Sequence, residues 1–186
     1  MPTQENQMLA RSIADAFGGV PAVQSFYDDG KSHEIDIIKC QNDPDNGLSS
    51  YSTIGLSDVE IFNIERQKLD FGVKLIGICE SEAELFMNIV STCAFNIIKD
   101  KYGVYPGVIH PNVFRMYDGL SNTLDHAMLV DPFIWESAFQ SRELETKTVA
   151  FLQIIGTSEL ESDFAKENGT DELEDLFEQS GIDILT

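Results

Sequence analysis

The segment HEIDIIKCQNDPDNGLSSYSTIGL, residues 33–56, has the pattern of a β-hairpin. Residues 33–41 and 49–56 are rich in β-branched and apolar residues that partly alternate with polar ones, as is typical of strands. Between them, residues 42–47 (NDPDNG) gather the residue types that favour tight turns. Strands joined by so short a turn pair antiparallel. The segment therefore predicts an antiparallel unit within a larger sheet.

The sequence on both sides of this hairpin adds strands and amphipathic helices. Further strands are predicted at residues 71–79, 126–135 and 146–155. Helices are predicted at residues 3–17, from residue 81 onward, at 158–167 and at 170–179, with Thr3, Ser81, Ser158 and Thr170 as their N-terminal caps. The strands outnumber the helices, which favours an α+β fold with a mainly antiparallel (mixed) sheet flanked by helices. We expect one domain over residues 1–186, in which residues 1–24 form an N-terminal helix and connection.

The composition is strongly acidic. The chain has 32 Asp and Glu against 12 Lys and Arg, a net charge of −20, and its 42% hydrophobic content excludes a disordered chain. Such a charge repels phosphate backbones, so we expect no direct nucleic-acid binding. The same field attracts a basic partner.

Cysteine usage and hydropathy predict a cytoplasmic protein. The three cysteines have neither the number nor the spacing of a disulfide framework or a zinc ribbon, and we interpret them as reduced, mostly buried thiols. The N-terminal residues lack the layout of a signal peptide. No apolar run approaches the ~20 residues of a membrane span.

No catalytic motif stands out in the sequence. His33, His110 and His126 are scattered and lack metal-ligand spacing. Cys79 or Cys93 could meet His126 in three dimensions, but both cysteines lie on apolar elements that indicate structural roles. We therefore expect no catalytic residues, no metal site and no cofactor, and a binding protein rather than an enzyme.

Two positions admit both a structural and a functional interpretation. Asp125 could orient the ring of His126, or His126 could simply satisfy the end of a buried strand. Trp135 could be a binding hot spot, although a lone Trp after an apolar strand is more often part of the core.

Negative charge is concentrated near the C-terminus. Residues 131–186 hold 14 acidic residues against three basic ones, and ten of the acids lie in residues 159–183. These ten are Glu159, Glu161, Asp163, Glu167, Asp171, Glu172, Glu174, Asp175, Glu178 and Asp183. They form either a solvated face of two short helices or a docking surface for a cationic protein. For the second interpretation, the candidate partner-binding residues are Glu159, Glu161, Asp163, Asp171, Glu172 and Asp175.

Several segments together resemble the suppressor-of-fused (SUFU) domain family in its small bacterial form. They are YSTIGLSD (51–58), FGVKLIGIC (71–79) with the helix that follows, PGVIHP (106–111), LDHAMLVDPFIW (124–135) and VAFLQIIGTSELESDFAKENGTDELEDLFEQSGID (149–183). The resemblance covers about residues 25–185. Ile54 replaces a leucine of the family pattern, and Gly156 stands where the family usually has proline.

The resemblance implies a single SUFU-like domain that acts by binding another protein. Small bacterial members look like immunity proteins that neutralise toxins, often nucleases, whereas the eukaryotic protein restrains a transcription factor. The family pattern supplies no catalytic residues. The expected function is therefore that of an antitoxin, which neutralises a cognate basic toxin domain by stoichiometric binding. An intracellular adaptor unconnected with toxins is the alternative, and the oligomeric state stays open.

Overall fold

A computed structural model describes residues 3–41, 44–63 and 65–181. In that part of the chain the helices are Gln4–Phe17 (α1), Phe86–Asp100 (α2), Glu159–Asn168 (α3) and Thr170–Ser180 (α4). The strands are Val20–Tyr27 (β1), Glu34–Gln41 (β2), Leu48–Ile54 (β3), Phe71–Glu80 (β4), Ile109–His110 (β5), His126–Val130 (β6), Arg142–Glu143 (β7) and Thr148–Thr157 (β8). The predicted α+β class is confirmed.

The strands form one open, mixed sheet in the order β1-β2-β3-β4-β8-β6-β5, and β7 pairs with β8. The predicted hairpin is confirmed, because β2 and β3 pair antiparallel with Lys39 opposite Tyr51. The pair β4–β8 is parallel, and the other strand pairs are antiparallel. The connection from β4 to β8 contains α2, as a crossover between parallel strands requires.

Alternating side chains of β4 divide the core between the two faces of the sheet. Val73 and Leu75 join the cluster that contains the apolar face of α2. Ile76 and Ile78 join the cluster of α1, where Phe17 packs against Trp135. The period of two along a strand places these pairs on opposite faces. Trp135 is 9% exposed and belongs to this core.

The local caps at two helix ends are confirmed. The backbone N–H of Asn6 donates to Oγ1 of Thr3 at 3.2 Å, which caps α1. At the start of α3, Ser158 and Glu161 form a capping box. Both motifs depend on residues three apart in the sequence, so neighbouring residues suffice to predict them.

Two predicted caps are wrong. The capping box of Ser81 and Glu84 does not start α2, because that helix begins at Phe86 with Leu85 as its N-cap residue. Ser81 is tied instead to the β2–β3 hairpin: its N–H donates to the carbonyl of Gly47, and its hydroxyl lies 2.8 Å from that of Ser49. For α4, the N-cap residue is Gly169, and Thr170 is the first helical residue.

Two strand predictions also need correction. β6 ends at Val130 rather than at residue 135, because the chain turns away at Pro132 and the N–H of Phe133 donates to the Gln153 side chain. The strand β1 was not predicted. Its sequence VPAVQSFY has little alternation, and pairing with β2 determines its conformation.

Candidate functional site

Helices α3 and α4 are amphipathic and cover one end of the sheet. Leu173 and Phe177 of α4 are buried against Met128, Val130 and Ile155 of β6 and β8. The remaining positions of α4 are mostly acidic and exposed, as expected for a helix with one apolar stripe. The packing therefore turns the acidic residues of α4 toward solvent.

The candidate acids of α3 all have partners within the protein. Glu161 accepts hydrogen bonds from the N–H and the hydroxyl of Ser158 at 2.7 and 2.8 Å. Asp163 pairs with Lys166 one turn later at 2.9 Å. Glu159 lies 3.1 Å from Nε2 of His126. These three acids stabilise the helix in addition to contributing negative charge.

Glu159 belongs to a small network that joins α3 to β6. The Asn112 N–H donates to Nδ1 of His126, so the proton of the neutral ring lies on Nε2 and is directed at Glu159. Asp125 accepts from the N–H of Glu159 at 2.9 Å and from the Arg115 guanidinium at 2.6 Å. Arg115 holds the pKa of the Asp125 carboxyl below its ordinary value. The ring orientation of His126 is thus set by Asn112 and Glu159 rather than by Asp125.

The same residues have the donor types of a metal site. One ligand atom each from Asp125, His126 and Glu159 lies within 4.8 Å of the others. However, Arg115 supplies positive charge to the two carboxylates. Its Nη2 atom lies 3.7 Å from a carboxylate oxygen of Glu159. An ion would have to displace this guanidinium. We interpret the cluster as an ion-pair network that holds the start of α3.

A second group of acids forms an exposed surface around α4. Asp171, Glu172, Asp175 and Glu178 are exposed, and Glu174 is half-buried among them. Partial burial and then the charges of Asp171, Asp131, Glu178 and Asp175 raise the pKa of Glu174. We call Asp131 and these five residues of α4 the C-terminal acidic surface. Sequence reasoning missed Asp131, which reaches this surface from the end of β6, and Asp183 lies outside the described residues.

Exposed apolar side chains lie on the same helices. Leu160 of α3 is 82% exposed and Leu176 of α4 is 39% exposed. Apolar anchors surrounded by charged residues are the usual composition of a protein-binding surface. The candidate site is therefore suited to binding a protein with positive charge and at least one apolar pocket.

The remaining candidates for chemistry are buried or half-buried, and their thiols are not activated. Burial raises the pKa of the Cys79 thiol to about 11 and raises that of Cys93 still further. A thiol must ionise to act as a nucleophile, so neither is activated. Burial also lowers the pKa of His110 to about 4, and its ring packs against Tyr102.

Comparison with known proteins identifies the family. The family model described as suppressor of fused protein (SUFU) matches residues 31–186. The chain belongs to the suppressor-of-fused family. Among curated proteins, this SUFU chain is 41% identical over 183 residues to immunity protein YqcF of Bacillus subtilis strain 168, covering 98% of this chain and 94% of that protein.

Solved structures show the same fold. A SUFU homologue from Neisseria gonorrhoeae superposes with a TM-score of 0.75 at 14% identity, covering 97% of this chain and 92% of the other. A chain of the Sufu–Fu complex superposes with a TM-score of 0.64 at 16% identity, covering 100% of this chain and 90% of the other. Drosophila Suppressor of Fused superposes with a TM-score of 0.62 at 16% identity, covering 96% of this chain and 48% of the other. The single SUFU-like domain is thus confirmed.

A helix that crosses a bilayer must be both long and apolar. Within the described residues, none is both long enough and apolar enough to cross a bilayer.

Proposed function

We propose that this chain is an immunity protein that neutralises a cognate toxin domain by stoichiometric binding in the cytoplasm. The observation that carries the proposal is the 41% identity to an immunity protein along 98% of the chain. The toxin domain that best fits a net charge of −20 is a nuclease.

The electrostatic reason concerns what a nuclease must bind. Its cleft is lined by Lys and Arg because the substrate is a polyanion. A strongly negative inhibitor is steered to such a cleft, which raises association rates by up to ~10³ at low salt. Fast association matters because free toxin damages the cell that makes it.

Within this chain, we propose Asp171, Glu172 and Asp175 as the principal contact acids. They are exposed in the C-terminal acidic surface, where partial burial and then the crowded charges raise the pKa of Glu174. Cations of a partner would relieve this repulsion. Glu159, Glu161 and Asp163 would add to the attractive field, but their hydrogen bonds to His126, Ser158 and Lys166 make them structural as well.

The test compares two variants that each lose three negative charges. The first variant combines Asp171→Asn, Glu172→Gln and Asp175→Asn. The control combines Asp45→Asn, Glu82→Gln and Glu84→Gln, which are exposed positions outside the helices and strands. Association rates with the toxin domain encoded by the neighbouring gene would be measured by stopped flow at low and high salt.

We expect the α4 variant to associate at least tenfold more slowly at low salt, while the control stays within about threefold of the native chain. Both should melt near the native temperature, because exposed substitutions change stability little and the loss of an acid from the first turn of α4 costs at most about 1 kcal/mol. Equal slowing in both variants would mean that net charge matters and that the C-terminal acidic surface does not.

The alternative is an adaptor that binds a basic protein without neutralising a toxin. Co-expression separates the two functions. Survival of cells that produce the toxin domain should require this chain if it is an immunity protein. Continued killing despite folded, abundant chain would favour the adaptor.

A further inference from the structure

The strand β1 is an exposed edge of the sheet. It pairs with β2 and is the first strand in the sheet order. Apart from half-buried Phe26, its side chains are exposed, including Val20 at 75%, Val23 at 58% and Tyr27 at 54%. The sequence VPAVQSFY contains no charged residue. Natural edge strands are usually protected by charges, proline or very short length, and of these β1 has only Pro21 near its start.

Pro21 shows which backbone groups of β1 are directed away from β2. Proline has no N–H, so within a strand it is tolerated where its nitrogen faces away from the neighbouring strand. In an antiparallel strand, alternate residues direct both backbone groups to the same side. Val23, Ser25 and Tyr27 therefore direct their N–H and carbonyl groups to the open edge. These groups are available to another strand.

An apolar groove runs beside this edge, between β1 and α1. It has a volume of about 430 Å³, and its lining includes Pro21 and Val23 of β1, Ile38 of β2, and Ala10 and Ala14 of α1, together with the charged residues Arg11 and Asp36. The side chain of Val23 lies on the same face as Ile38, because the two residues are register partners. A strand added to β1 would place alternate side chains over this groove.

The groove continues into an acidic pocket. The pocket has a volume of about 300 Å³, and its lining includes Asn6, Glu34, Asp36 and Asp58. Asn6, which also lines the groove, is 2% exposed, and its Oδ1 has no hydrogen-bond partner among the described residues. The amide nitrogen of Asn6 donates to Asp58, so the group without a partner is the Oδ1 acceptor.

Two acids of the pocket, Glu34 and Asp36, form no salt bridge within the described residues, although Arg11 lines the adjoining groove. Glu34 accepts from the Tyr27 hydroxyl at 2.9 Å and Asp36 accepts from the Ser25 hydroxyl at 2.5 Å, and both donors are neutral. Asp58 pairs with Lys147. In the part of the chain that the structure describes, no salt bridge involves Glu34 or Asp36.

We propose that the β1 edge binds an extended segment of a partner protein, which pairs with Val23, Ser25 and Tyr27 and places a Lys or Arg side chain in the acidic pocket. A second copy of this chain fits less well. Its own β1 has no cation to offer Glu34 and Asp36, and each copy has a net charge of −20. Adding a strand to an open edge uses main-chain hydrogen bonds for affinity and side-chain pockets for specificity.

The test titrates the isotope-labelled full chain with a seven-residue peptide of alternating lysine and valine, followed by NMR. The amides of Val23, Ser25 and Tyr27 should shift and exchange with solvent at least tenfold more slowly. A peptide in which glutamate replaces lysine should bind at least tenfold more weakly. Equal binding of both peptides would overturn the assignment of the acidic pocket, and no shift with either would overturn the proposal.

Two substitutions examine the edge itself. Val23→Pro removes one outward N–H without disturbing the pairs with β2. It should lower the affinity for the lysine peptide about tenfold. Val23→Lys should weaken it as well, by repulsion, and keeps the proposal testable if the proline variant does not fold. Glu82→Gln with Glu84→Gln serves as the control and should bind normally.

Amide shifts in β1 that grow with protein concentration before peptide is added would instead identify a second copy as the occupant, which contradicts the proposal. The experiment contains no toxin. Its failure would therefore leave the proposed immunity function intact, and failure of toxin neutralisation would leave this binding edge intact.

Discussion

At the scale of single residues, His126 is a structural group. It is 5% exposed, accepts from the Asn112 N–H at 2.8 Å and faces Glu159. An imidazole that accepts from a loop amide on one side and faces a helix acid on the other stabilises the fold. The same position would have been a candidate base if its ring opened to a cavity. Its role therefore follows from its two partners.

Replacing His126 should reduce stability and spare binding. His126→Ala leaves the Asn112 N–H without its acceptor, and we expect the free energy of unfolding to fall by about 2 kcal/mol. Toxin inhibition by the remaining folded protein should be unchanged. The control is His33→Ala, which removes an exposed imidazole. It should lower the free energy of unfolding, measured in urea, by less than about 1 kcal/mol. Lost inhibition with unchanged stability would indicate an active site at His126.

Lys74 is a second residue whose environment determines its behaviour. Its side chain is fully buried in β4, and the ammonium donates to the Thr53 carbonyl at 2.9 Å. Burial, together with the nearby charge of Lys147, lowers the pKa of Lys74 to about 8 from 10.5. The folded protein therefore holds this proton less tightly than the unfolded chain does.

The stability effect of Lys74 should depend on pH. Below about pH 8 the buried charge opposes folding fully, and this effect disappears as the pH rises to about 10.5. Lys74→Met should accordingly raise the free energy of unfolding at pH 7 by about 2 kcal/mol, and the gain should shrink between pH 8 and 10.5. A difference from the native chain that is constant across this range would contradict the assigned pKa.

At the scale of elements, local signals were predictable and tertiary ones were not. The caps at Thr3 and Ser158 could be predicted because both partners lie within one helical turn. Ser81 has the same sequence pattern, but its hydroxyl bonds to Ser49, which no local pattern reveals. The strand β1 depends on its neighbour β2 for the same reason. Of the acidic candidates, the exposure of Asp171 was predictable from the apolar stripe of α4, whereas Asp131 joins the surface only through the fold.

The capping box makes a prediction for α3 as a unit. Glu161→Ala removes the acceptor of both Ser158 bonds, so the helix should lose about 1 kcal/mol of stability. Glu161→Gln keeps an acceptor and should recover most of this loss. Urea unfolding of the two variants measures the difference. If both variants matched the native chain, the box would not stabilise α3, and Glu161 would be free to serve as a contact acid.

At the scale of the whole molecule, the apolar residues pack on and around the sheet, and most of the acidic residues of α4 lie on the surface. The two faces of the sheet are covered by α1 and α2, and α3 and α4 close one end. A net charge of −20 in a chain of 186 residues repels itself, and that repulsion decreases when a cationic partner binds. Affinity for such a partner should therefore fall as salt rises, because screening weakens attraction between exposed charges.

The most direct test of the immunity function is a titration of toxin activity. A candidate toxin domain, taken from the gene next to that of this chain, would be held at a fixed concentration far above the dissociation constant, and this chain would be added in steps. We expect toxin activity to fall linearly and to reach zero at one equivalent of chain, and native mass spectrometry to show a complex of one copy of each protein. Toxin activity that persists beyond several equivalents of folded chain would contradict this expectation.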